Sequence, residues 1–243
     1  MSSFWKNKPL EKVIRYPIEY HYMYKELISP GKRLQIQEAN DQFFVKNVSS
    51  AMVYAKIAFF AGLGIRLFFL LITIGTPKEK IQINLNLVIV PFLLIGLIFL
   101  IIHYMAPVKE IVLDRINGKI SYPRLFGNKE HRIIQFDSLH VFETMTTSGD
   151  FATTGKKIRI RDRKYDYTWD LESRYPEEYW SFMVWYMDKN RPLPTGSIFD
   201  EYREQDFQRR KAEGFQKPLY PSRFETPEVT PAQQKERKKI GGW

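Results

Sequence analysis

The 243-residue chain has no cysteine, which excludes disulfides, thiolate metal sites and cysteine nucleophiles together. Histidine is scarce, and the four present, His21, His103, His131 and His140, lack metal-ligand spacing. No glycine-rich phosphate loop, nucleophile elbow or kinase signature occurs. Catalysis therefore has no support in the sequence, and no catalytic residue, metal or cofactor is expected. Acidic residues are also short, 27 against 37 Lys and Arg, for a formal charge of +10. That balance alone would suit a polyanion, but no nucleic-acid module accompanies it, so nucleic acid is not expected as a partner.

What is present is led by two long apolar runs, residues 50–74 and 85–105, separated by GTPKEKIQIN. As a helix at 1.5 Å per residue, each is long enough to cover a hydrocarbon core of about 30 Å. The expectation is a two-helix transmembrane hairpin. Lys and Arg gather before the first run and after the second, leaving only Lys78 and Lys80 between them. Positive-inside bias then places both termini in the cytoplasm of a multi-pass protein of a bacterial inner membrane. Within the first run Arg66 lies on the same helical stripe as Ala58 and Gly62, a face suited to close helix contact. Those three residues are either an intramembrane site or a place where arginine reaches out to lipid phosphate.

Residues 1–49 interleave aromatic and basic side chains, with a short helix over Ile18–Ile28 and two short strands, Arg33–Gln37 and Gln42–Lys46. This segment either lies at a lipid interface or packs onto the domain that follows. From residue 106 to 190 the period switches to two. KEIVLDR and KISYPRL flank Asn117-Gly118, the dipeptide favoured by a two-residue type I′ hairpin. Further strands are expected at His131–Phe136, Leu139–Thr144, Lys156–Asp162 and Tyr165–Leu171, then a helix over Pro176–Lys189 with Trp180, Met183, Val184 and Met187 as its apolar stripe.

Six antiparallel strands closed by one aromatic C-terminal helix resemble a pleckstrin-homology-type (PH-like) barrel or sandwich, and the N-terminal strands could supply the seventh strand of that fold. With the apolar runs and the Pro- and charge-rich stretch from Trp185 to Trp243, the chain is similar to an uncharacterised bacterial family of short two-crossing membrane proteins. That resemblance implies an α+β membrane protein with a hairpin and a PH-like cytosolic domain. It implies no activity. The Pro- and charge-rich tail over 191–243 reads as extended, with short helices over Asp200–Glu213 and after Thr230. The spacing of Phe207, Phe215, Tyr220 and Phe224 suggests that it lies along the domain or a partner, the alternative being disorder.

In KKIRIRDRK, alternation puts Lys157, Arg159, Arg161 and Arg163 on one face of a strand while Ile158 and Ile160 face the core. The four cations are either a surface for anionic partners or the charged edge that keeps a sheet from aggregating. The functional expectation is a non-enzymatic inner-membrane scaffold or adaptor whose domain and tail bind a protein partner or anionic membrane lipid, with homo-oligomerisation possible. The alternative is a membrane immunity protein that neutralises a secreted antibacterial toxin.

Overall fold

The computed structural model describes residues 8–17, 28, 36–47, 94, 97–98, 110–122, 131–148, 153–162, 167–171 and 175–243. The chain divides into two units, Met1–Asn47 with Glu110–Trp243, and Val48–Lys109.

The first unit holds two antiparallel sheets. Strands β2 (Ile36–Ala39), β3 (Phe43–Asn47), β4 (Glu110–Asp114), β5 (Lys119–Tyr122) and β6 (Arg132–Gln135) form a five-stranded meander. Strands β7 (His140–Ser148), β8 (Thr153–Asp162) and β9 (Tyr167–Asp170) form a second meander, to whose β7 edge the two-residue β1 (Lys8–Pro9) is added. Neither sheet closes into a barrel, which corrects the PH-like barrel expected from element order. The break comes where β6 runs into a 3-10 turn at Phe136–Ser138. There Phe136 is fully buried and stacks on Trp180 at 5.6 Å, so the chain turns inward and β7 starts a new sheet.

Strand β3 pairs with β4 in continuous register from Phe43 opposite Asp114 to Asn47 opposite Glu110. Residues 48–109 are therefore an insertion in a hairpin, leaving and returning at adjacent positions. The turn between β4 and β5 differs from the two-residue turn expected at Asn117-Gly118, because Asp114 pairs with Lys119 and four residues lie between them. Gly118 takes the positive φ of +63°, while Asp114 accepts the Asn117 N–H at 3.1 Å and its side-chain amide at 2.8 Å. The longer loop lets Arg115 turn its side chain inward, where it is fully buried.

Helix α1 (Pro176–Met187) starts with proline in its first turn, followed by Glu177 and Glu178 at the positive end of its dipole. All eight residues from Trp180 to Met187 are buried, not only the stripe expected from the sequence. Seven of the eight are apolar or aromatic, as a helix covered on every side requires, and the eighth, Ser181, is bonded through its hydroxyl. Phe44 of the five-stranded sheet meets Phe182 edge-on at 5.0 Å, β8 packs on another side, and Phe199 stacks on Tyr186 at 5.7 Å.

The chain after α1 carries short helices in the two places expected, and it folds onto this core. A 3-10 stretch, Ser197–Tyr202, leads into α2 (Arg203–Ala212), and α3 (Pro231–Gly241) begins at Thr230. The Thr230 hydroxyl accepts the Gln233 N–H at 3.2 Å while the Gln233 side chain returns to the Thr230 N–H. Phe199, Phe207 and Phe215 are all buried.

Among the described residues no helix is long and apolar enough to cross a membrane. The longest, α1, has 12 residues and spans about 18 Å at 1.5 Å per residue, short of the roughly 30 Å of a bilayer core. This overturns the reading as a membrane protein with a two-helix transmembrane hairpin, the location in an inner membrane with cytoplasmic termini, and the likeness to two-crossing proteins. The run 50–74 lies outside the described residues, as do the expected helix over 18–27 and the run 85–105, apart from Leu94, Leu97 and Ile98, which are helical and exposed.

Candidate functional site

Strand β8 carries the expected basic face. Ile158 and Ile160 are buried at 1% and 0% exposure, whereas Lys157 and Arg161 are exposed and Arg159 is half-buried. Alternation along the strand explains this directly. The face is not a sheet edge, because β8 lies between β7 and β9. Across the β7 ladder Lys157 sits opposite Thr144, Arg159 opposite Phe142 and Arg161 opposite His140. On the other side Arg159 faces Asp170 and Arg161 faces Thr168. Two exposed cations and one half-buried cation thus share one sheet face, with Phe142 as the cross-strand neighbour of the middle one. Arg163, expected as the fourth, lies outside the described residues, as do Arg66, Gly62 and Ala58.

A second polar assembly escaped the sequence reading. Arg115 donates to the Asp206 carboxylate in the interior, to the Arg191 carbonyl at 2.5 Å, and to the Asp41 and Asp188 carbonyls at 3.4 Å. Asp206 also accepts from Arg210 at 2.8 Å and Arg209 at 2.9 Å. Arg210 turns its other two nitrogens to both oxygens of Glu228 at 2.7 and 2.8 Å, and Arg237 reaches the same carboxylate at 3.1 Å. Phe207 and Phe215 approach the Arg210 guanidinium, their centroids each 5.8 Å away.

A neighbouring knot centres on Asp188, whose carboxylate accepts from Arg191 at 3.0 Å and from the backbone N–H groups of Asn190, Leu219 and Tyr220. Asp188, Asp206, Glu228 and the guanidiniums of Arg115, Arg191, Arg210 and Arg237 are all buried. Burial by itself raises the Asp206 pKa, but Arg115 and Arg210, with Arg209, outweigh it and hold the carboxyl below its ordinary value. Burial likewise lowers the Arg210 pKa, and Glu228 and Asp206 more than reverse that. Three buried carboxylates bonded to four buried guanidiniums tie the chain after α1 to the β4–β5 turn that carries Arg115. The one signal in the sequence was the spacing of Asp206 from Arg209 and Arg210 on a helix.

A third feature is an extended stretch, Lys8–Tyr16, lying along the body. Its Leu10 N–H donates to the Val141 carbonyl at 2.8 Å, and its Glu11 carbonyl accepts the Trp180 indole N–H at 3.2 Å. Lys12 gives its ammonium to the Asp137 and Leu139 carbonyls at 2.9 and 3.1 Å. Burial lowers the Lys12 pKa, with Asp137 partly opposing it. Ile14 is fully buried, donates to the Pro221 carbonyl at 3.0 Å and accepts from Arg223 at 2.9 Å. Ser181 Oγ accepts the N–H groups of Arg15 and Tyr16, both at 3.2 Å. A cavity of ≈ 210 Å³ remains between this stretch and the body, bounded by Lys8, Arg15, Glu143, Glu177 and Trp180 among others.

Among the described residues no three histidine or carboxylate side chains converge to hold a metal ion. No family model, no curated protein and no solved structure matches this chain, and the likeness to a two-crossing bacterial family is without support.

Proposed function

We propose that the chain is a non-catalytic binding module, an adaptor that engages an acidic segment of a protein partner through the face carrying Lys157, Arg159 and Arg161. The observation that supports this is their alignment on an interior strand. Arg159 and Arg161 lie where β8 is paired on both sides and needs no charge to discourage further pairing, so the edge-protection role of such cations does not account for these two, while Lys157 continues their face where β8 is paired with β7. Phe142 beside Arg159 adds an apolar surface to the charge, a mixture that suits a peptide better than bulk counter-ions.

The test uses the full chain and a fluorescein-labelled glutamate-rich peptide as probe. Changing Lys157, Arg159 and Arg161 together to Gln should weaken binding at least tenfold, equivalent to about 1.4 kcal/mol, spread over three charge contacts. A control variant with Lys235, Lys238 and Lys239 changed to Gln removes the same charge from exposed positions of α3 and should bind almost as well as the parent. Equal loss in the two variants would reduce the effect to net charge and sink the proposal. Tighter binding to phosphatidylserine vesicles than to the peptide would assign the face to anionic lipid instead.

A further inference from the structure

We infer that the groove holding Lys8–Tyr16 is a strand-addition site, filled here by the chain's own residues and able to take the same stretch from a second copy of the chain. The main chain of this stretch is bound as a peptide ligand would be. Leu10 continues the antiparallel pairing with β7, and Ile14 makes a parallel bridge to Ser222. Glu11, Arg15 and Tyr16 supply further main-chain groups to Trp180 and Ser181. Backbone bonds of this kind give affinity in β-strand addition, and buried side chains give selectivity.

Selectivity here comes from three positions at alternate spacing. Ile14 is fully enclosed, Leu10 packs partly buried against the core, and Lys12 places its ammonium on two carbonyls beside the Phe136 ring, 5.9 Å from its centroid. Pro9 suits the added position. With Leu10 N–H bonded to Val141, Pro9 falls opposite Phe142 in the non-hydrogen-bonded register, where its missing N–H would have pointed away from β7.

The hydrogen bonds of Leu10, Lys12, Ile14, Arg15 and Tyr16 to the body reach residues 125 or more positions away, so none depends on the order of neighbouring chain. Residues 17–35 join the stretch to β2, and the same bonds form whether that connection closes within one molecule or crosses to another. The copy is the occupant of choice because its sequence is the one this groove is seen to fit. Closure within the molecule competes at an effective concentration of about millimolar, so the exchanged form should grow as protein concentration approaches that range.

The absence of native cysteine makes the test direct. Full-length Pro9→Cys and Phe142→Cys chains are mixed and treated with diamide, which takes up the two thiol hydrogens as the disulfide forms. Cα atoms facing each other in this register are within the reach of a disulfide. The double variant in one chain should close internally and shows that the geometry is competent; Lys8→Cys with Glu143→Cys is a second such pair. The expected result is a mixed disulfide dimer that increases with concentration, falls at least fivefold when Ile14→Asp is added to the Pro9→Cys chain, and is suppressed by a synthetic peptide of residues 7–17. No mixed dimer up to 1 mM, while the double variants close, would overturn the inference. So would a mixed dimer indifferent to Ile14→Asp, or failure of both double variants to close.

Discussion

Asp206 receives three guanidiniums at one buried carboxylate, and its loss should be felt more than that of any exposed charge. Asp206→Asn leaves Arg115 and Arg210, exposed by 0% and 2%, with one charge too few between them. Breaking a buried pair from one side costs about 3–5 kcal/mol, and urea unfolding at pH 7 should show a loss of that size. The pH dependence has a definite sign. The folded pKa of Asp206 is held below its unfolded value, so the unfolded chain binds the extra proton. The stabilisation is therefore complete above about pH 4 and is lost as pH falls through the folded pKa. In the Asn variant that part of the acid slope should disappear; an unchanged slope would mean that the carboxylate is not held by its arginines.

At the scale of the element, α2 and α3 are joined through the stretch that follows each. The turn after α2 has Gly214 at φ +75° and Phe215 at φ +46°, with Phe215 N–H bonded back to Arg210 and Gly214 N–H to Lys211, the pattern of a Schellman C-terminus. A phenylalanine in the left-handed region costs about 1–2 kcal/mol, offset here by burial of its ring. Helix α3 ends against the same residue. A Cβ on Gly241 would lie 2.5 Å from the Phe215 carbonyl oxygen and 2.7 Å from its Cβ. Trp243 donates its indole N–H to that carbonyl at 2.8 Å and lies under Arg237 at 4.2 Å. Gly241→Ala should therefore cost about 1–3 kcal/mol and shift Trp243 fluorescence towards that of a solvated indole. An unshifted spectrum at full stability would show that the contact yields without consequence.

The helices themselves are legible in sequence: proline and two glutamates announce α1, and Thr230-Pro231 announces α3. The alternation of KKIRIRDRK gives away both faces of β8. The spaced aromatics of the last fifty residues suggest a stretch lying along the domain or a partner, but the buried ion pairs that fix it there are not legible. Proline and charge make that stretch as polar as a segment that stays disordered for want of apolar surface to bury, and the ion pairs that compensate join positions as distant as Arg115 and Asp206. No local period reports such a pairing. The turn at Asn117-Gly118 departs from its local signal for the same reason, since the residue that lengthens it, Arg115, answers to a partner 91 positions away.

On the scale of the whole molecule, the pairing of Asn47 with Glu110 means that residues 48–109 can be exchanged for a short turn. A chain with Asn-Gly in their place should retain a cooperative thermal transition and the near-ultraviolet dichroism of its buried tryptophans. Loss of both would show that the first unit needs the second in order to fold. The bridge from Ile14 to Ser222 governs something else, the timing of biosynthesis. On a ribosome moving at about 5–20 residues per second, the roughly 200 residues between them take about 10–40 s to appear. Throughout that interval Ile14 has been made and the strand it will lie beside has not. Ile14 thus makes this bridge only after the long stretch of chain that separates it from Ser222 has been synthesised.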